Sequence, residues 1–421
     1  MRIGIDDTDS PAGMCTTYLG AVLARRLAAA GFRVTETFLV RLNPNVIYKT
    51  RGNAAICIGC EGDPDTAFSL ACGLVDELAD LACDATNPGV VVTGHPLPAW
   101  FYRKAVQDFC GIDEAIDLLE ESGARYRGYK NCRGLIGAAA AAACDFDDGT
   151  SELLAYRKPG LWGTPRRIDR QSLFIAEEET WPHTWDSVDR ENDVVVCVPH
   201  TPDPVLFGIR GESPAWVTTA RGYVRSEEPS IEQVFLTNQG TDAHLIPGRI
   251  GELREGRSYL VGGTVMSVPV TGHGGHVSFG IGDRGETVRC MAYEPTRGFR
   301  DIVRLLLPGD EVTAAGSYKG GSINLEKIQV RIVAPVLRIR PPCCGVCGKR
   351  MTSAGTGKGY KCRKCGSRSG EPERIVIERD LSCGWYEVPP SARRHLAKPL
   401  IRGPPSVVRR PERSYNPSDI L

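Results

Sequence analysis

Three carboxylates fall within four positions near the start of the chain: Asp6, Asp7 and Asp9, in the run Gly-Ile-Asp-Asp-Thr-Asp-Ser. Like charges this close raise one another's cost of ionisation unless a cation neutralises them. Hard oxygen ligands favour Mg²⁺, which keeps several waters and binds substrate phosphates beside one or two carboxylates. Taken alone, the motif is equally an acidic turn capping the next helix. Its neighbours weigh toward phosphate. Gly13-Met14-Cys15-Thr16-Thr17 puts hydroxyls and backbone N–H groups at a predicted helix start, a setting that favours an anion. Arg41, Lys49 and Arg51 bracket the polar loop Asn43-Pro44-Asn45 with Gly52-Asn53. Metal-binding carboxylates on one side and cations on the other are what phosphoryl transfer needs. Arg133 and Arg210, each in a glycine-flanked run, are further phosphate candidates, with structural ion pairs as the equal alternative. There is no Walker motif, and Gly272, Gly274 and Gly275 read as hairpin residues.

A second constellation is metallic. Cys344-Gly-Val-Cys347 and Cys362-Arg-Lys-Cys365 are two Cys-x-x-Cys knuckles that a hairpin would bring together. Four thiolates make a closed tetrahedral Zn²⁺ site, with no open position for catalysis. Such a metal supplies folding energy to a segment too small to fold alone. Cys343 is spare, or competes with Cys344 as a ligand. Lys349, Arg350, Lys361, Arg363 and Lys364 give the ribbon a basic face that suits RNA phosphate.

These groups need a scaffold. Residues 2–5, 33–42, 54–58 and 89–93 read as strands, and 16–30 and 65–81 as helices, the first stopped at Gly31. The alternation predicts an α/β sheet. From about residue 126 the pattern becomes α+β: an alanine-rich helix over 135–144, then strands near 151–157, 194–198 and 205–210. Residues 259–332 show three strands, a short helix (Phe299, Ile302, Val303 and Leu306 on one face) and two more strands. That is the order of an OB-fold β-barrel, often an oligonucleotide binder. A linker over 335–342 leads to the cysteines. The chain after Arg374 is rich in Pro and Arg and lacks the apolar periodicity of an independent core. Arg393 and Arg394 in this tail are further candidates for RNA contact. The predicted divisions are 1–125, 126–248, 249–338, 339–374 and 375–421.

Composition sets the limits. At 421 residues the chain holds several domains, and 42% hydrophobic with 24% charged residues is enough to give each a core. Net charge is zero, so any nucleic-acid surface must be local. The 16 cysteines lie mostly singly in apolar runs rather than in a disulfide framework. With no predicted signal peptide or membrane span, they suggest a reducing, cytoplasmic setting.

The runs GIDDTDSPAGMCTTYL, RLNPNVIYKTRGNAA, TNPGVVV, GLIGAAAAA, PDPVLFGIRG and TNQGTDAHL resemble the archaeal tRNA-isoleucine 2-agmatinylcytidine synthetases. The barrel, the ribbon and the run WYEVPPSARRHLAKPLIR follow in that family's order, so the resemblance covers the chain to about Arg402. It implies a kinase-like domain, a ferredoxin-like domain, an OB-fold and a zinc ribbon. It also implies an enzyme that cleaves ATP to AMP, phosphorylates the 2-oxygen of the wobble cytosine in an isoleucine tRNA with a CAU anticodon, and lets agmatine displace that oxygen. In the family a threonine of the GMCTT motif is itself phosphorylated, and it matches Thr16. The metal and phosphate carboxylates match Asp6, Asp7 and Asp9. The partners implied are the tRNA, agmatine and ATP, with Mg²⁺ and structural Zn²⁺ as metals. Asp203, Glu212, Trp216 and Tyr223 are unranked candidates for holding the agmatine guanidinium. Two other classes remain open on the residues themselves: a non-catalytic OB-fold and ribbon RNA binder, or a metal-dependent nuclease or phosphatase.

Overall fold

Alternating burial builds the sheet that carries the acidic run. In strand β1 (Arg2–Asp6), Ile3 and Ile5 face one apolar cluster while Gly4 faces the opposite side. Strands β2 (Arg33–Arg41), β3 (Ala54–Glu61) and β4 (Gly89–Thr93) divide their residues in the same way. Ile56, Ile58, Val90 and Val92 fall on the Ile3 side; Ala55, Cys57 and Val91 fall on the other. Both faces are covered, so the strands read as continuous apolar runs. The computed structural model describes residues 1–49 and 52–405. Arg51 lies outside the described residues.

Helix α1 (Thr16–Ala29) covers the first face with Leu19, Leu23 and Leu27, one turn apart. It stops as predicted: Gly31 takes φ +90°, and its N–H and that of Phe32 close on the carbonyls of Ala28 and Leu27. Helix α2 (Pro64–Leu78) lies beside it. The second face takes α3 (Ala99–Gln107) and α4 (Ile112–Glu121), which the sequence pattern had not disclosed. After β5 (Arg125–Gly128), which pairs with β4, comes α5 (Gly134–Ala142) on the same face. All but one of the α5 residues are buried, and its glycines and alanines let it lie almost flush on β1, β3 and β4. A β-carbon at Gly4 would sit 2.0 Å from the Ala138 carbonyl oxygen.

The sheet does not end at the predicted division after residue 125. It runs to nine strands, in the order β5, β4, β1, β3, β2, then Ile231–Thr237, β6 (Thr150–Tyr156), Val205–Gly211 and Thr184–Trp185. All neighbours are antiparallel except β2 with 231–237. Helices Arg170–Thr180 and Pro214–Tyr223 pack on the second half.

Strands Ser258–Val265, Val277–Asp283, Glu286–Ala292, Glu311–Lys319 and Ser322–Ile332 close a five-stranded barrel. The first strand pairs with both the second and the fourth, the third runs parallel to the fifth, and helix Phe299–Arg304 lies between the third and fourth. This is the order expected of an OB-fold. The first barrel strand ends at Val265, and a short strand, Val270–Thr271, follows it.

Two expectations for the C-terminal part change. The predicted linker 335–342 contains a strand, Val336–Arg340, paired with Glu373–Ile377. The described part of the Pro/Arg-rich segment is not a loose tail. Strand Gly384–Glu387 joins the barrel, and residues 388–405 then strap the barrel to the nine-stranded sheet. Buried polar contacts hold the strap. Asp242 accepts from Lys327 Nζ at 2.6 Å and from the Lys398 N–H at 2.7 Å. The N–H groups of Gly240 and Asp242 donate to the carbonyls of His395 and Leu396, and Leu396 enters the core beneath α3 and α5. Such a segment borrows the cores of its neighbours, so it carries no apolar period of its own.

Replacing Gly4 by Ala should force α5 off β1. The expected cost is about 1–3 kcal/mol, read as a lower midpoint in urea unfolding followed by circular dichroism. An unchanged midpoint would contradict the flush packing.

Candidate active site

Asp6 ends β1 opposite Gly89, where the ladder stops and the chain turns into the acidic loop. Its carboxylate rests on the bare face of α5: a β-carbon at Gly137 would fall 1.8 Å from Asp6 Oδ2. Burial first, and the negative charge of Asp7 next, push the Asp6 pKa well above the carboxylate range. Asp7 adopts φ 57° and accepts from Arg133 Nη2 at 3.1 Å. Burial raises its pKa too, while the Arg133 charge opposes the rise. The Asp9 carbonyl accepts from Thr86 Oγ1 at 2.7 Å, anchoring the loop. Arg133 also lies over the Tyr48 ring, 4.9 Å from its centre.

Capping does not account for the acidic run. The N-cap of α1 is Cys15, with no side-chain cap bond, and the first turn of the helix holds no acid. Thr16 is the first helical residue. Its Oγ1 accepts from the Thr8 N–H at 3.3 Å and is 3.0 Å from Thr8 Oγ1, so the acidic loop and the helix start are tied together.

A cleft of about 200 Å³ opens beside these groups. Asp6, Asp7, Asp9, Lys49, Asn53 and Arg133 line it, so six of the predicted residues converge there. Tyr48, inside the run RLNPNVIYKTRGNAA but not singled out there, lines it as well, as do Asp108 and Phe109, to which no motif pointed. Asn43 holds the neighbouring loop: its Nδ2 donates to the carbonyls of Asp108 and Gly256, each at 3.1 Å.

Arg41 and Arg210 meet in a second, cationic cluster. Glu152 accepts from Arg210 Nε at 3.3 Å and faces Arg41 Nη2 at 3.8 Å. Gln239 Oε1 accepts from Arg41 Nε at 3.1 Å. Burial lowers the Arg41 pKa to about 10; the Glu152 charge resists that, and Arg210 adds to it. His395 Nδ1 lies 2.6 Å from Arg210 Nη2. Crowding by protein, then the charges of Arg41, Arg210 and Lys49, hold the His395 pKa well below its usual value. His395 is nonetheless an exposed residue, so the three cations are the firmer reason for its neutrality. Lys49, on the wall of the acidic cleft, thus also acts on His395 and links the two clusters. Sequence reasoning missed Glu152, Gln239 and His395. The signals available were a lone acid inside the apolar strand Thr150–Tyr156 for Glu152, and membership of the runs TNQGTDAHL and WYEVPPSARRHLAKPLIR for Gln239 and His395.

Other predicted residues lie elsewhere. Arg393 belongs to the interior: its guanidinium pairs with Asp186 and with Glu387, leaving only 6% of the side chain exposed and no face for RNA. Arg394 donates to Asn45 Oδ1 at 3.0 Å and to Ser317 Oγ at 2.5 Å, joining the polar loop to the barrel. Asp203 is buried and faces Arg166 at 3.6 Å; Glu212 accepts from Arg402 at 2.7 Å; Trp216 stacks on His183. Lys349, Arg350, Lys361, Arg363 and Lys364 are exposed around the cysteines, with Arg350 also paired to Glu373.

The Sγ atoms of Cys344, Cys347, Cys362 and Cys365 lie within 4.8 Å of one another. Two of the separations are 3.4 and 3.5 Å. A tetrahedron of thiolates around Zn²⁺ needs about 3.8 Å between sulfurs, so the four cysteines fit the metal. Cys343 is exposed and stands outside the group. Among the described residues, no helix is long and apolar enough to cross a membrane.

An acidic cleft bordered by cations, on a scaffold with a five-stranded barrel and a basic Cys₄ ribbon, is a combination suited to the class of enzymes that act on phosphates and nucleic acid. Comparison with known proteins narrows the class. Residues 2–63 match the TiaS TCKD domain, 132–244 the TiaS FLD domain and 341–381 the TiaS C-terminal zinc ribbon domain. TiaS of Methanocorpusculum labreanum, the 2-agmatinylcytidine synthetase of the isoleucine-2 tRNA, is 51% identical over 96% of this chain and 97% of its own length. The protein of that name from Archaeoglobus fulgidus is 44% identical over 95% and 97%. A crystal structure of TiaS with the isoleucine-2 tRNA and ATP superposes with TM-score 0.85 at 44% identity, covering 95% of this chain and 97% of that one. A complex of TiaS with the same tRNA, AMPCPP and agmatine does so with TM-score 0.85 at 40% identity, covering 95% and 96%. The chain belongs to the TiaS family, the 2-agmatinylcytidine synthetases of the isoleucine-2 tRNA.

The raised pKa of Asp6 has a stability consequence of definite sign. Above the ordinary Asp value of about 3.9 the unfolded chain releases this proton first, so ionisation opposes folding as pH rises. Asp6→Asn should therefore melt higher than the wild type at pH 8, with a gap that narrows toward about pH 4, and should be inactive. A lower melting temperature at pH 8 would contradict the buried-carboxylate account.

Proposed function

We propose that this chain uses ATP to attach agmatine to carbon 2 of the wobble cytidine in the isoleucine-2 tRNA, giving 2-agmatinylcytidine and AMP. The observation that carries the reading is the convergence of Asp6, Asp7 and Asp9 with Lys49, Asn53 and Arg133 on one cleft, in a chain of the TiaS family. A cytosine 2-oxygen is a poor leaving group. Phosphorylation forms an O–P bond to it as the bond between the γ- and β-phosphates of ATP breaks. The primary amine of agmatine then bonds to carbon 2 and gives up a proton, the C–O bond breaks and phosphate departs with the oxygen, while water cleaves the remaining ADP to AMP and a second phosphate. The target base must leave its stack to be reached.

Asp6, Asp7 and Asp9 are the groups that would hold Mg²⁺. The raised pKa values of Asp6 and Asp7, with the charges of Asp7 and Asp9 both opposing ionisation of Asp6, fit a cation, and Mg²⁺ needs only one or two of the three besides phosphate. When bound, Mg²⁺ supplies charge neutralisation for the transferring phosphoryl group. Arg133 holds Asp7 in place by its hydrogen bond, and Lys49 and Asn53 face phosphate across the cleft. Arg41 and Arg210 hold a further phosphate through N–H donors left free by Glu152 and Gln239. Thr16 is buried and tied to Thr8 behind the acidic loop; we assign it the role of phosphoryl acceptor on its match to the GMCTT motif of the family. We read the N-terminal half of the long sheet as the kinase-like domain and its second half as the ferredoxin-like domain. The exposed Lys349, Lys361, Arg363 and Lys364 contact tRNA phosphates away from the chemistry.

Asp7→Ala should lower AMP formation and tRNA modification together, by about a hundredfold or more, with the fold unchanged by circular dichroism. In the wild type, AMP release should require both agmatine and tRNA. Turnover within a few-fold of normal in the variant would sink the phosphoryl-transfer assignment. AMP release without agmatine would favour a plain hydrolase. With γ-labelled ATP, label should appear on the peptide holding Thr16; its absence there would remove the role given to that residue.

A further inference from the structure

We infer that His395 is a positioning residue for this reaction, which makes the strap beyond the zinc ribbon a working part of the active site. The inference rests on the reading of Arg41 and Arg210 as phosphate ligands. An arginine guanidinium is always protonated and only donates. The 2.6 Å contact between Arg210 Nη2 and His395 Nδ1 therefore makes Nδ1 the acceptor and leaves the ring proton on Nε2. Glu152 takes the Nε of the same guanidinium. Held at two corners, Arg210 has one orientation, and its remaining N–H donors are aimed in advance of any ligand.

The backbone that presents the ring is fixed as well. The His395 carbonyl accepts from the Gly240 N–H at 2.8 Å, and Leu396 next to it is buried. The Nε2 edge packs over Gly52 of the polar loop. A β-carbon at Gly52 would lie 3.2 Å from His395 Nε2 and 2.6 Å from Arg41 Nη1. The strap therefore touches Arg210 and the loop that carries Asn53, and Arg41 borders the same glycine.

The choice of a neutral acceptor carries the functional argument. Three cations, Arg41, Arg210 and Lys49, act on this position, and Glu152 is the carboxylate that faces both arginines. A contact serving stability alone would be better made by a second carboxylate, as at Arg393, which pairs with Asp186 and Glu387. An imidazole orients Arg210 without cancelling its charge, and the net positive charge stays available for an anionic ligand.

The test compares His395→Leu, His395→Asn and His395→Asp with Arg210→Ala in the full-length protein, using ATP binding by calorimetry and steady-state tRNA modification. His395→Leu should weaken ATP binding and raise KM for ATP about tenfold or more, with KM for tRNA within twofold. His395→Asn, whose side-chain oxygen falls near the Nδ1 position, should restore most of the affinity. His395→Asp keeps an acceptor but adds a charge, and should not. Normal ATP affinity in the Leu variant, beside a weakened Arg210→Ala, would overturn the role of His395 alone. Failure of Asn to rescue would do the same, as would an equal rise in both KM values with a lower melting temperature. Normal ATP affinity in Arg210→Ala would instead remove the phosphate reading beneath the inference.

Discussion

A carboxylate pressed under a helix of glycine and alanine governs how this active site is built. Asp6 can lie there because Gly137 has no side chain, and α5 can lie there because Gly4 and Gly134 have none. Any larger residue at these contacts would lift the helix and open the base of the cleft. The same closeness strips water from the carboxylate and sets it against Asp7. The fold thus holds an electrostatic tension that a cation with its phosphates would relieve. Stability given up at Asp6 becomes affinity for the charged ligand.

The groups read as phosphate ligands sit on different structural units, and Arg133 among them is hydrogen-bonded to Asp7. Lys49 and Asn53 lie on the polar loop after β2, Arg133 leads into α5, and Arg210 comes from the far half of the nine-stranded sheet. Their relative placement depends on the sheet running unbroken through the parallel junction of β2 with Ile231–Thr237. It depends equally on the strap, whose buried pairs with Asp186, Asp242 and Glu326 tie barrel and sheet together. Under the proposed function, RNA gripped by the barrel and ribbon would thereby be kept in a set geometry to the cleft.

Much of this was legible in the sequence, and the limits were physical. The acidic run, the basic loop and the Cys-x-x-Cys pairs were readable because their chemistry is local. Helix α1 and the barrel were readable from periodicity and a glycine stop. Hidden were the features created by long-range contact. Strand 231–237 joins two halves that look like separate domains, and nothing local announces that pairing. The strap has no periodic apolar face, since it is held by scattered ion pairs and four buried residues, Val388, Leu396, Ala397 and Pro399. Arginine at 393 and at 394 looked alike in sequence, yet one is walled in by two carboxylates and the other joins loop to barrel. His395 looked like any scattered histidine, because only the fold sets it between Arg41, Arg210 and Gly52.

The most direct test is mass analysis of nucleosides from an isoleucine-2 tRNA transcript incubated with the full-length protein, ATP and agmatine. The predicted result is 2-agmatinylcytidine at the wobble position when all three are present, and unmodified cytidine when either small molecule is omitted. Unmodified cytidine in the complete mixture, or the same product without ATP, would contradict the assignment.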